Sequence, residues 1–91
     1  MLLVLKFDSM YVDIIDVPSF IVADATDYQD QFFVWLGDKT IDHAYWHYED
    51  GEKYGLSYGS EAFIEWLNAF PLAETEEKAK IVSEGVRHIF F

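Results

Sequence analysis

His43-Ala44-Tyr45-Trp46-His47-Tyr48-Glu49-Asp50-Gly51-Glu52-Lys53-Tyr54-Gly55-Leu56-Ser57-Tyr58 is a pair of aromatic-rich runs around a central Asp50-Gly51. Asp-Gly is a favoured centre for a two-residue type I′ hairpin, because both central residues there take positive φ. Counting outward from the turn sets the expected register. Glu49 faces Glu52, Tyr48 faces Lys53, His47 faces Tyr54, Trp46 faces Gly55, Tyr45 faces Leu56, Ala44 faces Ser57 and His43 faces Tyr58. Side chains alternate across a strand, so His43, Tyr45, His47, Tyr54, Leu56 and Tyr58 share one face. Trp46 and Tyr48 lie on the other with Gly55 and Lys53, where an indole can cover the backbone that a strand glycine leaves bare.

On the N-terminal side, residues 2–8 and 10–16 are rich in aliphatic and aromatic side chains and read as two strands, with Asp8-Ser9 as the turn between them. Pro18 removes a backbone donor and ends the second strand. Phe20-Ile21-Val22 can form another short strand, and the polar stretch 24–30 reads as a loop. Residues 31–36 are a compact apolar run closed by Gly37-Asp38, the length and punctuation of a buried strand. The alternative is a short helix over 26–36, with Phe32, Phe33, Trp35 and Leu36 on nearly all of its sides.

On the C-terminal side, Ser60 is a good N-cap and Glu61 suits the positive first turn of a helix. Phe63, Trp66, Leu67 and Phe70 recur at intervals of three and four, which makes one buried stripe, and Pro71 stops the helix. Thr75 can cap a second helix over 75–84, with Gly85 past its end, and 86–91 reads as a short terminal strand, with a continuing helix as the alternative. These elements predict one small α+β domain over residues 1–91. Its antiparallel sheet would have about four to six strands, with helices at about 60–70 and 75–84 packed on one face.

The chain has 91 residues and no cysteine, so its core must stabilise it without disulfides. Hydrophobic residues make up 52% and aromatic ones 19%, which supports a folded chain despite the charge. The apolar start at residues 1–5 is followed at once by Lys6 and Asp8, with no basic region before it. It is therefore too short for a signal peptide or a membrane span, and a cytoplasmic location is expected.

Seventeen acids against six bases give a net charge of −11, and the first 38 residues hold seven Asp against Lys6 alone. Direct nucleic-acid binding is disfavoured, since that affinity comes from Lys and Arg, whereas a basic protein partner is attracted. Solubility explains the same acidity without any partner.

No residue set carries a catalytic signature. His43 and His47, with Asp42, Glu49 and Asp50 nearby, suggest a metal site, but four residues along a strand span about 13 Å, too far to share one ion. The chain lacks the His-Glu-x-x-His pattern, a Gly-x-Ser-x-Gly serine and a phosphate loop. Its many carboxylates have no evident cleft that would hold two at a defined separation. No enzyme activity, cofactor or metal is expected.

The candidate partner-binding residues are Tyr45, Tyr54 and Tyr58, rimmed by Glu49, Asp50 and Glu52, together with Asp24, Asp27 and Asp30. The last three belong to the Asp series 8, 13, 16, 24, 27 and 30, which could mimic phosphate spacing. Tyr is enriched at binding hot spots, but helices packed on the hairpin face would bury the same rings in a core. In size and acidity the chain resembles small bacterial and phage-encoded proteins that antagonise nucleases or toxins. That likeness implies an inhibitor or immunity-type protein that blocks a basic, nucleic-acid-binding surface. The alternatives are a structural module that homodimerises through a strand edge or the aromatic hairpin, and a small enzyme or metal-binding domain.

Overall fold

The computed structural model of the protein describes residues 1–6 and 11–87. Among these, five strands and three helices make an α+β fold with two antiparallel sheets, of three and two strands, in place of the one sheet expected. Strands β1 (Leu2–Leu5), β2 (Tyr11–Asp16) and β5 (Lys80–Arg87) form the larger sheet, with β2 in the centre. Strands β3 (Trp46–Glu49) and β4 (Glu52–Leu56) form the hairpin. Helices α1 (Ser19–Ala23), α2 (Ala25–Leu36) and α3 (Ser60–Ala69) complete the fold.

The two N-terminal strands are where their composition put them, and β1 pairs with β2 in the register Leu3 to Ile15 and Leu5 to Asp13. The expected Asp8-Ser9 turn lies outside the described residues. Leu3, Leu5, Ile15 and Ile81 share the inner face of the sheet. They join one hydrophobic cluster with Ile21, Phe32, Leu36, Phe63, Trp66, Leu67 and Leu72.

Three expectations are corrected. Residues 20–22 belong to α1 and not to a strand. The expected loop 24–30 and strand 31–36 form the single helix α2. Five adjacent apolar residues fit either structure, but only a helix puts Phe32 and Leu36 inward, one turn apart, while Val34 stays 75% exposed. Asp27 in the first turn suits the helix dipole.

The expected helix over 75–84 is also overturned. Glu76-Glu77-Lys78-Ala79-Lys80 has good helix propensity, but tertiary contacts hold the chain extended and feed it into β5. The Asn68 amide clamps Ala79 from both sides: its Nδ2 donates to Ala79 O at 3.1 Å, and Ala79 N–H donates to its Oδ1 at 2.7 Å. Ile81 then pairs with Ile15. The expected terminal strand therefore begins earlier, at Lys80, and residues 88–91 lie outside the described part.

Helix α3 matches its expected span, and Phe63, Trp66 and Leu67 are buried as its stripe requires. Phe70, beyond the last turn, is 54% exposed. The residue before the helix is Gly59, and Ser60 is the first helical residue without a capping bond. Ser60 is 3% exposed and its hydroxyl donates instead to Asp13 on the inner face of β2. Removing a buried donor from a charged acceptor costs about 1–3 kcal/mol. Ser60→Ala should therefore lower the urea midpoint clearly, while Ser57→Ala at an exposed position should not; equal midpoints would refute this link between sheet and helix.

Candidate functional site

The hairpin turn forms as its residues dictate. Asp50 has φ 51° and Gly51 φ 80°, the two positive values that the type I′ turn needs. Glu49 faces Glu52 and Tyr48 faces Lys53, as counted from the turn. Beyond them the register slips by one residue, so that His47 faces Gly55 and Trp46 faces Leu56. Tyr54 is the extra residue of this β-bulge, and Gly55 beside it explains why the strand gives way there. The expected facing of Trp46 with Gly55 is thereby corrected.

The bulge sorts the hairpin into an anchored face and a free one. On the anchored face, Trp46 Nε1 donates to Ile41 O at 2.8 Å, and its ring stacks on His43 at 5.0 Å with 6° between planes. His43 also meets Trp35 of α2, with ring centres 4.7 Å apart. His43 uses both ring nitrogens: Nε2 donates to Leu36 O at 2.8 Å, and Nδ1 accepts from Tyr45 N–H at 3.2 Å. The ring is therefore the Nε2–H tautomer and has no lone pair left for a metal. Among the described residues, no three or more His, Asp or Glu side chains converge on a possible ion site.

Lys53 also turns to the anchored face. Its ammonium donates to Lys39 O, Ile41 O and Asp42, and lies 5.5 Å from the Trp46 ring centre. Lys78 behaves alike, donating to Leu72 O and Ala73 O past the end of α3. Two of the few cations of the chain thus bind backbone carbonyls.

The free face carries Glu49, Glu52, His47 and Tyr54, with Asp50 at the tip, and all five are exposed. Tyr54 is 63% exposed and its ring lies 6.1 Å from that of His47. Glu49 and Glu52 stand directly opposite each other, and no base of the described residues pairs with either. Like charges in facing positions destabilise a strand pair, and opposite charges contribute about 0.2–1 kcal/mol. Glu52→Lys should consequently raise the melting temperature, and a lower one would contradict this arrangement.

The other candidate residues go elsewhere. Tyr45 is half-buried and its hydroxyl donates to Glu65 of α3. Burial pushes the Tyr45 phenol well above the usual tyrosine value, helped by that hydrogen bond and by the Glu65 and Glu61 charges. A raised value means that the folded chain keeps a proton which the unfolded chain releases from about pH 10 upward. The Tyr45 contribution is therefore full below that pH and is lost as the solution becomes more alkaline. An ultraviolet titration should show a tyrosine step above the usual range, and Tyr45→Phe should remove it.

Tyr58 packs on Phe32 and Phe33, at 6.2 and 6.0 Å, and lines a groove of about 440 Å³ between β1 and α2 whose walls mix Leu3, Leu5 and Phe63 with Lys6, Thr26 and Gln29. Asp24, Asp27 and Asp30 are exposed at the start and on the outer side of α2. Of the Asp series, Asp13 is turned inward to Ser60, and Asp8 lies outside the described residues. The structure thus unites Glu49, Asp50, Glu52 and Tyr54 and separates them from Tyr45, Tyr58 and the α2 acids.

Comparison with protein-family models, curated proteins and solved structures finds no match. The site must be read from its own chemistry. His47, which the sequence does not single out as a contact residue, belongs to it. Its alternation with Glu49 along β3 was the available signal.

Proposed function

We propose that the protein is a non-enzymatic, acidic binding module that docks the free face of its hairpin on a basic surface of a partner protein. The observation that carries this reading is the facing Glu49/Glu52 pair, whose nearest base in sequence, Lys53, is held on the opposite face. A lysine or arginine of the partner would relieve that repulsion. It would also find the Tyr54 ring beside the carboxylates, since cations favour aromatic faces and Arg can bond a carboxylate through two N–H groups. Anchoring by Trp46, His43 and Lys53 gives the hairpin a fixed shape, which limits the ordering cost of binding.

An inhibitor or immunity-type role fits this chemistry, with carboxylates in place of phosphates on a nucleic-acid-binding surface. The reading is tested by retrieving partners with the tagged protein from its host and eluting with salt. A basic protein released by moderate salt supports it, because exposed charge pairs are screened over about 10 Å at 0.1 M. Retrieval that resists salt speaks against it.

A further inference from the structure

Asp50-Gly51 is the one Asp-Gly pair of the chain, and both residues are exposed at the hairpin tip. The nitrogen that follows an aspartate can attack its side-chain carboxyl carbon and close a five-membered imide. Two things ordinarily block that step: the next side chain shields the nitrogen, and a hydrogen-bond ladder holds it. Gly51 supplies no side chain, and nothing lies within 4 Å of where its Cβ would stand. In a two-residue turn the closing bonds join the flanking residues, here Glu49 and Glu52. The Gly51 nitrogen therefore takes no part in the ladder. On α2, by contrast, Asp27 precedes Tyr28, whose N–H donates to Asp24 O at 3.1 Å.

The turn also has a route to the reactive geometry. With φ 51° and 80° it is type I′, and the other two-residue hairpin turn, type II′, joins the same strands. The two differ by a rotation of the central peptide unit, which takes ψ of the first residue to about −120° and φ of the second to about −80°. A planar five-membered imide needs Cβ and the next nitrogen eclipsed, which for an L-residue is this same ψ. Asp50 already has the positive φ common to both turns, and Gly51 takes either sign without steric cost. Ring closure thus needs one peptide rotation and leaves Glu49 and Glu52 in place.

We propose that Asp50-Gly51 is a self-modification site that converts to isoaspartate through a succinimide. The Gly51 nitrogen bonds to Cγ of Asp50 in its neutral carboxyl form, and the nitrogen's proton leaves with the carboxyl hydroxyl as one water. The imide carries no charge. A second water opens the ring: attack at Cγ restores the aspartate, and attack at the α-carbonyl carbon routes the backbone through Cβ, with the α-carboxylate left as the side group. Charge then returns, but the turn is longer by one CH2, which a two-residue turn cannot absorb while Glu49 faces Glu52. The chemistry needs only water and is independent of any partner; the loss of docking that follows from it rests on the function proposed above.

The test keeps the folded protein in mildly acidic heavy-oxygen water, then digests it and maps the peptides by mass. Residue 50 should become isoaspartate, resistant to a protease that cuts before aspartate, accepted by an isoaspartyl methyltransferase and carrying one heavy oxygen. Asp24, Asp27 and Asp30 should stay unchanged. Visiting the required ψ is unfavourable for a residue with a Cβ, so the folded chain should react about 5- to 150-fold more slowly than the chain unfolded in guanidinium chloride. Rare global unfolding alone would slow it by more than about a thousandfold. Asp50→Asn closes the same ring by losing ammonia from a group that is neutral at every working pH, so it should convert faster than the parent and is compared fresh in binding work.

Isoaspartate at residue 50 with one heavy oxygen, formed at a folded rate above the thousandfold limit, supports the proposal. Absence of conversion or of the heavy oxygen, equal conversion of the α2 aspartates, a folded rate below that limit, or an Asp50→Asn chain that keeps its amide overturns it. The purified isoaspartate form should bind a basic partner about tenfold more weakly. Undiminished binding by that form would count against the hairpin as the docking face and not against the modification.

Discussion

Phe32→Ala should remove about 3–5 kcal/mol of folding stability, a large part of the roughly 5–14 kcal/mol that a chain of this length commands. Phe32 is 1% exposed, and its ring meets Phe63 at 5.2 Å, Phe33 at 5.3 Å, Trp66 at 5.9 Å and both Trp35 and Tyr58 at 6.2 Å. Truncation leaves a cavity among large, constrained rings that cannot collapse to fill it. Val34→Ala is the informative companion. If residues 31–36 were a strand, Phe32, Val34 and Leu36 would share a face and Val34 would be costly to truncate. In the helix Val34 is exposed, and its loss should change stability by only about 0.5 kcal/mol. Urea midpoints of the two variants decide the matter, and similar large losses in both would contradict the helix.

That same segment shows where the sequence was legible and where it was not. Asp50-Gly51 announces its turn because positive φ at two positions is a local demand that few residue pairs meet. Residues 60–69 announce a helix because their apolar spacing is unambiguous. Residues 32–36 are five apolar neighbours with no period, so the choice rested on whether a sheet or a helix face needed covering, which is a tertiary matter. Glu76-Glu77-Lys78-Ala79-Lys80 misleads in the opposite way. Its propensity is helical, and the Asn68 clamp and pairing with β2 outweigh it.

For the site, the acids at the turn and Tyr54 were legible because they sit within a few residues of a turn that can be counted from. The bulge at Tyr54 was foreshadowed only by Gly55. The face of Lys53 was legible from the count, which put it with Trp46 and Tyr48, but its hold on the carbonyls of Lys39 and Ile41 was not, since they lie in a loop whose path the sequence does not state. Tyr45 and Tyr58 were grouped with Tyr54 by alternation, but the base of the hairpin packs on α3 and α2, and only its distal half is free.

Neutralising the hairpin acids should have the larger effect on function. Glu49→Gln, Asp50→Asn and Glu52→Gln together remove three negative charges, and Asn tolerates the positive φ that residue 50 requires. Each exposed charge pair lost costs about 0.2–1 kcal/mol, so the three lower affinity by up to about 100-fold. The turn and the anchored face are untouched, and removal of the Glu49/Glu52 repulsion should leave stability equal or higher. Weaker binding together with undiminished stability would mark these residues as contacts and not as scaffold.

Asp24→Asn, Asp27→Asn and Asp30→Asn change the net charge by the same amount on another element, α2. The decisive measurement is the affinity of the retrieved basic partner for the parent protein and for these two charge-matched triple variants, across a range of salt. The hairpin account predicts that the hairpin variant binds weakly with a shallow salt dependence while the α2 variant binds like the parent. Equal weakening by both, or weakening by the α2 variant alone, would contradict it.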